Sequence, residues 1–339
     1  MRQSTLGRTG EQVSVLGCGT MWFADLSQAE TTRTLNHALD RGVTYFDCAR
    51  GYGDAEIKVG KAIGHRHDEF FIATKTAKRD RASAAREIDE SLSRLGMDHL
   101  DLIQLHYVNS QPEFDQIMAP DGALAAAVHA QAAGKVRHIG ITGHRPELLA
   151  AWIGEFEFAT VLFHLSPVQP FSATELLPRA REREVGTIAM RPVGSGAIRR
   201  VSESIRYVHS HGVDVVLSGL TTPAIVDENV ETLASSVEEP EQQALTSWVL
   251  SIENNGCRRC NYCSCPVGIH IPDMLITEPL QRHDWFTPAG KEDWAEATAS
   301  VHKCEGHEPC RTEPICESKC PYDLPIRSTA LRVAGVEAQ

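Results

Sequence analysis

Apolar residues fall in short blocks along the first 250 positions: β-branched and aliphatic runs recur at 13–16, 43–46, 70–74, 100–105, 136–141, 159–163, 186–190 and 213–217. Each is too short for a buried helix, and short uninterrupted apolar runs are the pattern of strands covered on both faces. Between them, stretches such as 29–40, 84–95, 122–133 and 203–209 place apolar residues at helical spacing. Strands alternating with helices pair in parallel through crossover helices. Eight such units in ~250 residues match the length at which a (β/α)8 TIM barrel closes. A doubly wound sheet would want a G-x-G-x-x-G turn after an early strand, and GCGTMW, from Gly17 to Trp22, lacks that spacing. The expected fold class is α/β, a barrel over residues 1–250.

Composition changes this picture in one place. Residues 1–250 hold only Cys18 and Cys48, whereas Cys257, Cys260, Cys263, Cys265, Cys304, Cys310, Cys316 and Cys320 crowd the tail. Two regions of different chemistry are expected, with a border near Ser251 and a cysteine-rich domain over 251–339. The net charge of −12 argues against general affinity for nucleic acid or anionic lipid. The N-terminus opens into a polar turn, and the longest uncharged stretch, 159–174, is broken by His164, Pro167 and Pro170. Neither reads as a signal peptide or a membrane span, so the expected location is cytoplasmic. In a reducing cytosol, clustered thiols hold metal more often than they form disulfides.

Chemistry in such a barrel sits where strands end at the C-terminal face. YFDCARGYG delivers Asp47 and then Tyr52, FIATK delivers Lys75, and DLIQLH delivers His106. An Asp on a strand end often caps a helix, and a His beside a strand is often structural. Three successive buried strands ending in Asp, Lys and His are poorly explained by packing, because buried charge is costly without a partner.

These segments, with LGRTGEQVS at the start and DENVE at 227–231, resemble the aldo/keto reductases across the whole first region. The resemblance implies an oxidoreductase that binds NAD(H) or NADP(H) on a barrel and interconverts a carbonyl and an alcohol by hydride transfer. It implies Tyr52 as proton donor and acceptor, Lys75 held by Asp47 as the group favouring the phenolate, and His106 as the group orienting the substrate oxygen. Glu56 reads as a supporting or helix-starting residue, and Trp22 as pocket lining or lid packing.

The cofactor positions depart from the family in part. Where the family commonly has Ser-Asn after the fifth strand, GITGH gives Thr142, Gly143 and His144, and Leu162 replaces a common Gln. AMRPVGSGAI, with Arg191, Gly194, Ser195 and Gly196, still resembles the pyrophosphate loop, and LSGLTTPAIVDEN resembles the adenosine end, with Thr222 and Asn229 in the matching places. Gly219 and Ile225 stand where NADP-preferring relatives carry a Lys and an Arg, and Asp227 and Glu228 are acidic neighbours. NAD(H) is therefore expected to bind at least as well as NADP(H), unless Arg191, Arg199 or Arg200 swings across to the phosphate. His106, His144 and His164 end strands four to six. They read either as a three-His metal site or, preferentially, as the lining of a polar pocket for a sugar-like substrate.

In the tail, CRRCNYCSCP follows the bacterial ferredoxin pattern C-x2-C-x2-C-x3-C-P with its last gap shortened to one residue. The second block, Cys304 to Cys320, has gaps of five, five and three residues before Pro321. CPVGIHI and CPYDLPI form an internal repeat. The expected arrangement has two crossed [4Fe–4S] clusters, one on Cys257, Cys260, Cys263 and Cys320, the other on Cys304, Cys310, Cys316 and Cys265. His307 could replace a thiolate but reads better as a loop residue. Two tetrathiolate zinc sites are the alternative. A subgroup of aldo/keto reductases carries a similar tail. The clusters would be structural or would relay electrons to a protein partner. The runner-up for the whole chain is a non-redox eliminase or epimerase, or a nucleotide-sensing protein, on the same barrel.

Overall fold

The structure, a computed structural model, describes residues 1–194, 198–250, 257, 263, 265–269, 271–272, 274–275, 298–320 and 322–335. The chain divides into two compact units. The first is Met1–Leu165 with Pro170–Pro192 and Ile205–Glu239; the second is Ser166–Gln169 with Val193–Ser204 and Pro240–Gln339. The expected border at Ser251 lies outside the described residues.

The first unit is a closed parallel barrel of strands β3 (Leu16–Gly19), β4 (Tyr45–Asp47), β5 (Phe71–Thr76), β6 (Leu100–Leu105), β7 (Val136–Thr142), β8 (Thr160–His164), β9 (Gly186–Met190) and β10 (Val215–Ser218). Strand β10 closes the ring on β3, with Leu217 beside Gly17. Two strands precede the barrel, β1 (Gln3–Thr5) and β2 (Gln12–Ser14), paired antiparallel with Ser4 opposite Val13. The expected strand at 13–16 is thus corrected: Val13 belongs to this hairpin and the first barrel strand starts at Leu16. Its apolarity has another cause. Val13 and Leu6 are fully buried against Tyr45, Phe71, Leu102 and Ile188, a plug for the barrel interior.

The expected helices form at Gln28–Asp40, Arg81–Leu95, Ala123–Ala132 and Val201–Ser210. The first starts at a capping box, in which the Ser27 side chain accepts from Glu30 N–H and Glu30 returns a bond to Ser27 N–H. Asp80 caps the Arg81–Leu95 helix by accepting from Ser83 N–H.

The second unit builds its core from few aliphatics and several thiols: Ile269, Ile271, Met274, Val301, Ile326 and Leu331 pack with Cys257, Cys304, Cys310 and Cys316. Among the described residues no helix is long and apolar enough to cross a membrane.

One glycine reports how tightly the helical layer of the barrel closes. A Cβ on Gly60, inside the Ala55–Ile63 helix, would lie 2.2 Å from the Leu95 carbonyl oxygen. In a free helix Gly→Ala stabilises by about 1 kcal/mol. Here the sign should invert, with Gly60→Ala destabilising the protein by roughly 1–3 kcal/mol. A urea midpoint that rises rather than falls would show that the helices separate freely.

Candidate active site

The parallel register brings the three strand-end residues and Tyr52, from the loop after β4, into one cluster. Asp47 ends β4 opposite Ala73 of β5, two positions before Lys75, and Lys75 lies beside Gln104 of β6. Lys75 Nζ spends all three of its N–H groups. It pairs with Asp47 Oδ1, donates to the Cys48 carbonyl at 2.6 Å and reaches the Tyr52 hydroxyl oxygen at 3.5 Å. Gln104 Nε2 donates to the other Asp47 oxygen at 2.9 Å. Asp47 and Lys75 are 2% and 1% exposed. Burial disfavours the ammonium, but the Asp47 carboxylate and its hydrogen bond outweigh it, and the pKa of Lys75 is raised. Burial raises Tyr52 against the opposing pull of Lys75, so the group stands as a neutral phenol at neutral pH.

The loop carrying Tyr52 is held from behind. Glu56, fully buried, accepts from Thr74 Oγ1 at 2.8 Å and pairs with Arg94 Nε at 2.9 Å, and Arg94 also donates to the Gly53 carbonyl. Across the site His106 meets the Tyr52 ring edge to face, centroids 6.0 Å apart. Burial, then Lys75, His144 and Arg79, press its pKa down to about 3, leaving a neutral imidazole. Arg79 donates to the carbonyls of His106 and Tyr107, each at 2.9 Å, and Tyr107 is left-handed at φ 57. Gln104 and Arg79 carry no signal in the sequence: a Gln inside a strand and an Arg in a loop look like ordinary surface chemistry.

The remaining candidates fall into three situations. Thr142 and Gly143 lie at the end of β7. Thr142 Oγ1 accepts from Tyr107 N–H at 2.8 Å, and a Cβ on Gly143 would lie 2.4 Å from the Val108 carbonyl oxygen. His144 and His164 come together, centroids 4.0 Å apart, with Tyr107 edge-on to His144 at 4.6 Å. Among the described residues the three imidazoles do not form a trio with ligand atoms within 4.8 Å, so the pocket-lining alternative fits them better than a metal.

In the segment expected to hold the adenosine end, Thr222 caps the Pro223–Thr232 helix by accepting from Ile225 N–H. Asn229 is buried and donates to Ser218 Oγ at 3.0 Å, leaving its Oδ1 buried without a partner. Asp227 pairs with Arg41 and with His37, the latter at 2.9 Å. The acidic neighbourhood expected there is therefore partly neutralised. Trp22 is 47% exposed, over Gly219. Arg191 is left-handed at φ 58 and Gly194 at φ 57. Ser195 and Gly196 lie outside the described residues.

In the second unit the thiols of Cys265, Cys304, Cys310 and Cys316 are electrostatic neighbours. Burial first, then Cys310 and Cys265, raise Cys304, and burial, Glu317, Cys304 and Cys265 push Cys316 up to about 12. His307 Nδ1 lies 3.2 Å from Cys310 Sγ. The two copies of the repeat fold alike: Gly268 N–H donates to Cys265 O and Asp323 N–H to Cys320 O, and both residues are left-handed, at φ 80 and φ 49. Ile271 N–H to Ile269 O and Ile326 N–H to Leu324 O repeat the match. Cys257, Cys263 and Cys320 join the same core, and Cys260 lies outside the described residues.

A closed barrel with buried Asp47 and Lys75 and half-buried Tyr52 and His106 at its C-terminal face defines a class of oxidoreductase, and residues 15–261 match the aldo/keto reductase family, to which the chain belongs. An aldo-keto reductase of Mycobacterium avium (strain 104) is 30% identical over 251 residues, covering 72% of this chain and 74% of that one. L-glyceraldehyde 3-phosphate reductase of Escherichia coli (strain K12) is 25% identical over 293 residues, 74% and 80% of the two chains. L-galactose dehydrogenase of Arabidopsis thaliana is 29% identical over 212 residues, 57% and 66%. In fold, the chain is similar to the holo form of an aldo-keto reductase from Bacillus halodurans, with TM-score 0.64 and 23% identity over 73% of this chain and 96% of that one.

The neutral His106 makes a stability prediction. A folded pKa held below the unfolded ~6.5 means that the unfolded chain binds the extra proton, so stability is complete above pH ~6.5 and is lost as pH falls from there toward ~3. Removing the group in His106→Asn should flatten the acid limb of the unfolding free energy, by up to about 1.4 kcal/mol per pH unit. Urea titrations between pH ~4 and ~7 read this directly; parallel limbs for the two proteins would mean that His106 protonates freely.

Proposed function

We propose that the barrel interconverts a carbonyl and an alcohol with a nicotinamide dinucleotide, and that Tyr52 carries the proton. The observation behind this reading is the geometry of Lys75. Its ammonium donates toward the phenol oxygen, so the phenol's own proton points away from Lys75 and is available to a substrate oxygen. As a carbonyl is reduced, Tyr52 Oη gives up that proton, and the phenolate left behind gains a charge-assisted bond from Lys75. His106, neutral, can donate one ring N–H to the same substrate oxygen and fix its direction. The bound nucleotide supplies or accepts the hydride. Asn229 Oδ1, buried without a partner, is an acceptor matched to an adenine amino group, and Thr222 and Gly194 lie in the segments that resemble the rest of the dinucleotide groove. The imidazoles of His144 and His164 favour a hydroxyl-bearing, sugar-like substrate, in keeping with the names L-galactose dehydrogenase and L-glyceraldehyde 3-phosphate reductase among the relatives.

The same proposal assigns residues 251–339 to a domain with two [4Fe–4S] clusters, which supply one-electron chemistry or rigidity. The neighbouring thiols Cys265, Cys304, Cys310 and Cys316 fit the crossed pairing. Zinc fits less well: sulfurs ~2.3 Å from one ion lie roughly 3.8 Å apart, and among the described residues no three cysteine sulfurs lie within 4.8 Å of one another.

Tyr52→Phe should lower turnover by about 10²–10⁴ while leaving nucleotide affinity nearly unchanged, read by steady-state kinetics and calorimetry. A fully active Phe variant would remove Tyr52 from the mechanism. Absence of any nucleotide binding or consumption would favour the eliminase, epimerase or sensing alternatives. Anaerobically purified protein should contain about eight irons per chain, and Cys320→Ser should reduce the iron bound with Cys257 and Cys263; zinc in place of iron would overturn the cluster assignment.

A further inference from the structure

The N-terminal ends of the barrel strands carry a second polar cluster, remote in the barrel from the Tyr52 site. His67 lies in the 3-10 segment Gly64–Glu69 that leads into β5, His99 immediately precedes β6, and Asp101 is its second residue. The Asp101 carboxylate is 3% exposed and fixed from three sides: it accepts from Ile72 N–H at 2.8 Å, from Arg137 at 2.9 Å and from His67 Nε2 at 3.2 Å. His99 Nε2 stands 3.9 Å from its other oxygen. The two imidazoles stack with centroids 4.6 Å apart and planes 26° from parallel. One ligand atom from each of the three residues lies within 4.8 Å of the others. The cluster opens on a cavity of about 250 Å³, also lined by Glu11, Asp68 and Glu69.

We infer that His67, His99 and Asp101 form a binding site for a divalent transition-metal cation of the zinc class, with water from the cavity completing the coordination. Donors ~2.0–2.2 Å from one tetrahedral ion lie roughly 3.3 Å apart. His67 and His99 stand 3.2 Å and 3.9 Å from the two oxygens of Asp101, and with one donor from each residue inside 4.8 Å closure on an ion needs side-chain adjustments of at most roughly 1.5 Å. Two imidazoles with one carboxylate suit zinc, copper and nickel rather than magnesium or calcium. The cation takes the place of the proton in the His67–Asp101 hydrogen bond, and the neutral imidazole carries its one proton on Nδ1 instead as Nε2 turns its lone pair to the ion. Ile72 N–H and Arg137 remain on the carboxylate and hold its orientation, the support that metal-ligating carboxylates ordinarily have. The acids around the cavity offset the guanidinium and favour cation entry.

The tail thiols also bind soft metals, so the test must separate nitrogen and oxygen donors from sulfur. Full-length protein, titrated with cobalt(II), should bind one equivalent that gives weak visible ligand-field bands without thiolate charge-transfer absorption. In His99→Gln and His67→Gln that equivalent should bind at least tenfold more weakly, with the far-ultraviolet circular dichroism unchanged. Cobalt binding identical in wild type and both variants, or only thiolate bands in the wild type, would overturn the inference. Copper(II) bound to the wild type provides a reading that needs no variant: its paramagnetic resonance should show coupling to two imidazole nitrogens, and the lack of nitrogen coupling would equally overturn the site.

Discussion

Lys75 carries its charge where the side chain is 1% exposed, and an ammonium so placed costs several kcal/mol unless its N–H groups are matched. The match comes from one short stretch of chain at three points: a carboxylate at the end of β4, the next carbonyl along, and a phenol a few residues beyond Asp47. Asp47 in turn needs a second donor, and Gln104 supplies it from β6. The geometry of this cluster is therefore a consequence of strand register. Slipping β5 by one residue against either neighbour would turn Lys75 out of the barrel and leave a carboxylate buried alone. The ion pair thus ties the barrel's pairing to the direction in which the Tyr52 proton points.

That coupling explains which residues were legible in the sequence. Asp47, Lys75 and His106 stood out because charged or titratable groups at the ends of apolar strands have no packing reason to be there. Gln104 satisfies the same network but is neutral, and within DLIQLH it is indistinguishable from a polar residue facing a helix. Arg79 acts on backbone carbonyls, a role that depends on the left-handed Tyr107 and leaves no local pattern. The run at 13–16 misled for a different reason: apolarity reports burial, and a plug across the barrel interior is buried as completely as a barrel strand. Asn229 shows the opposite limit, since its place in DENVE matches the family's pattern but cannot tell that its amide is already committed to Ser218.

The neutral state of His106 and the neutral phenol of Tyr52 belong together. A protonated imidazole facing Lys75 and a phenol would stabilise phenolate in the resting protein and remove the proton before a carbonyl arrives. Burial opposes charge on both groups, and Lys75, already charged, opposes it on His106 while favouring it on Tyr52. On the proposed reading, the pull of Lys75 on the phenol grows as Tyr52 loses its proton, which is the difference between ground-state and transition-state stabilisation.

The second unit follows a different logic. Its aliphatic core is small, and buried thiols occupy positions that Leu or Val would fill in a larger domain. As neutral thiols these side chains pack like small hydrophobes. As thiolates they repel, which is why Cys310 and Cys265 add to the rise at Cys304, and Cys304 and Cys265 to the rise at Cys316. A cluster reverses the sign, since metal charge turns four mutually repelling sulfurs into ligands and makes binding free energy part of folding free energy. The repeated turn at Cys265 and Cys320 gives each following segment the same entry into the core, so one thiol from each copy is delivered equivalently even though the spacing between the remaining cysteines differs. On the cluster reading, the irregular gaps of the second block cost little, because the turn that carries the crossing cysteine is the part both copies preserve.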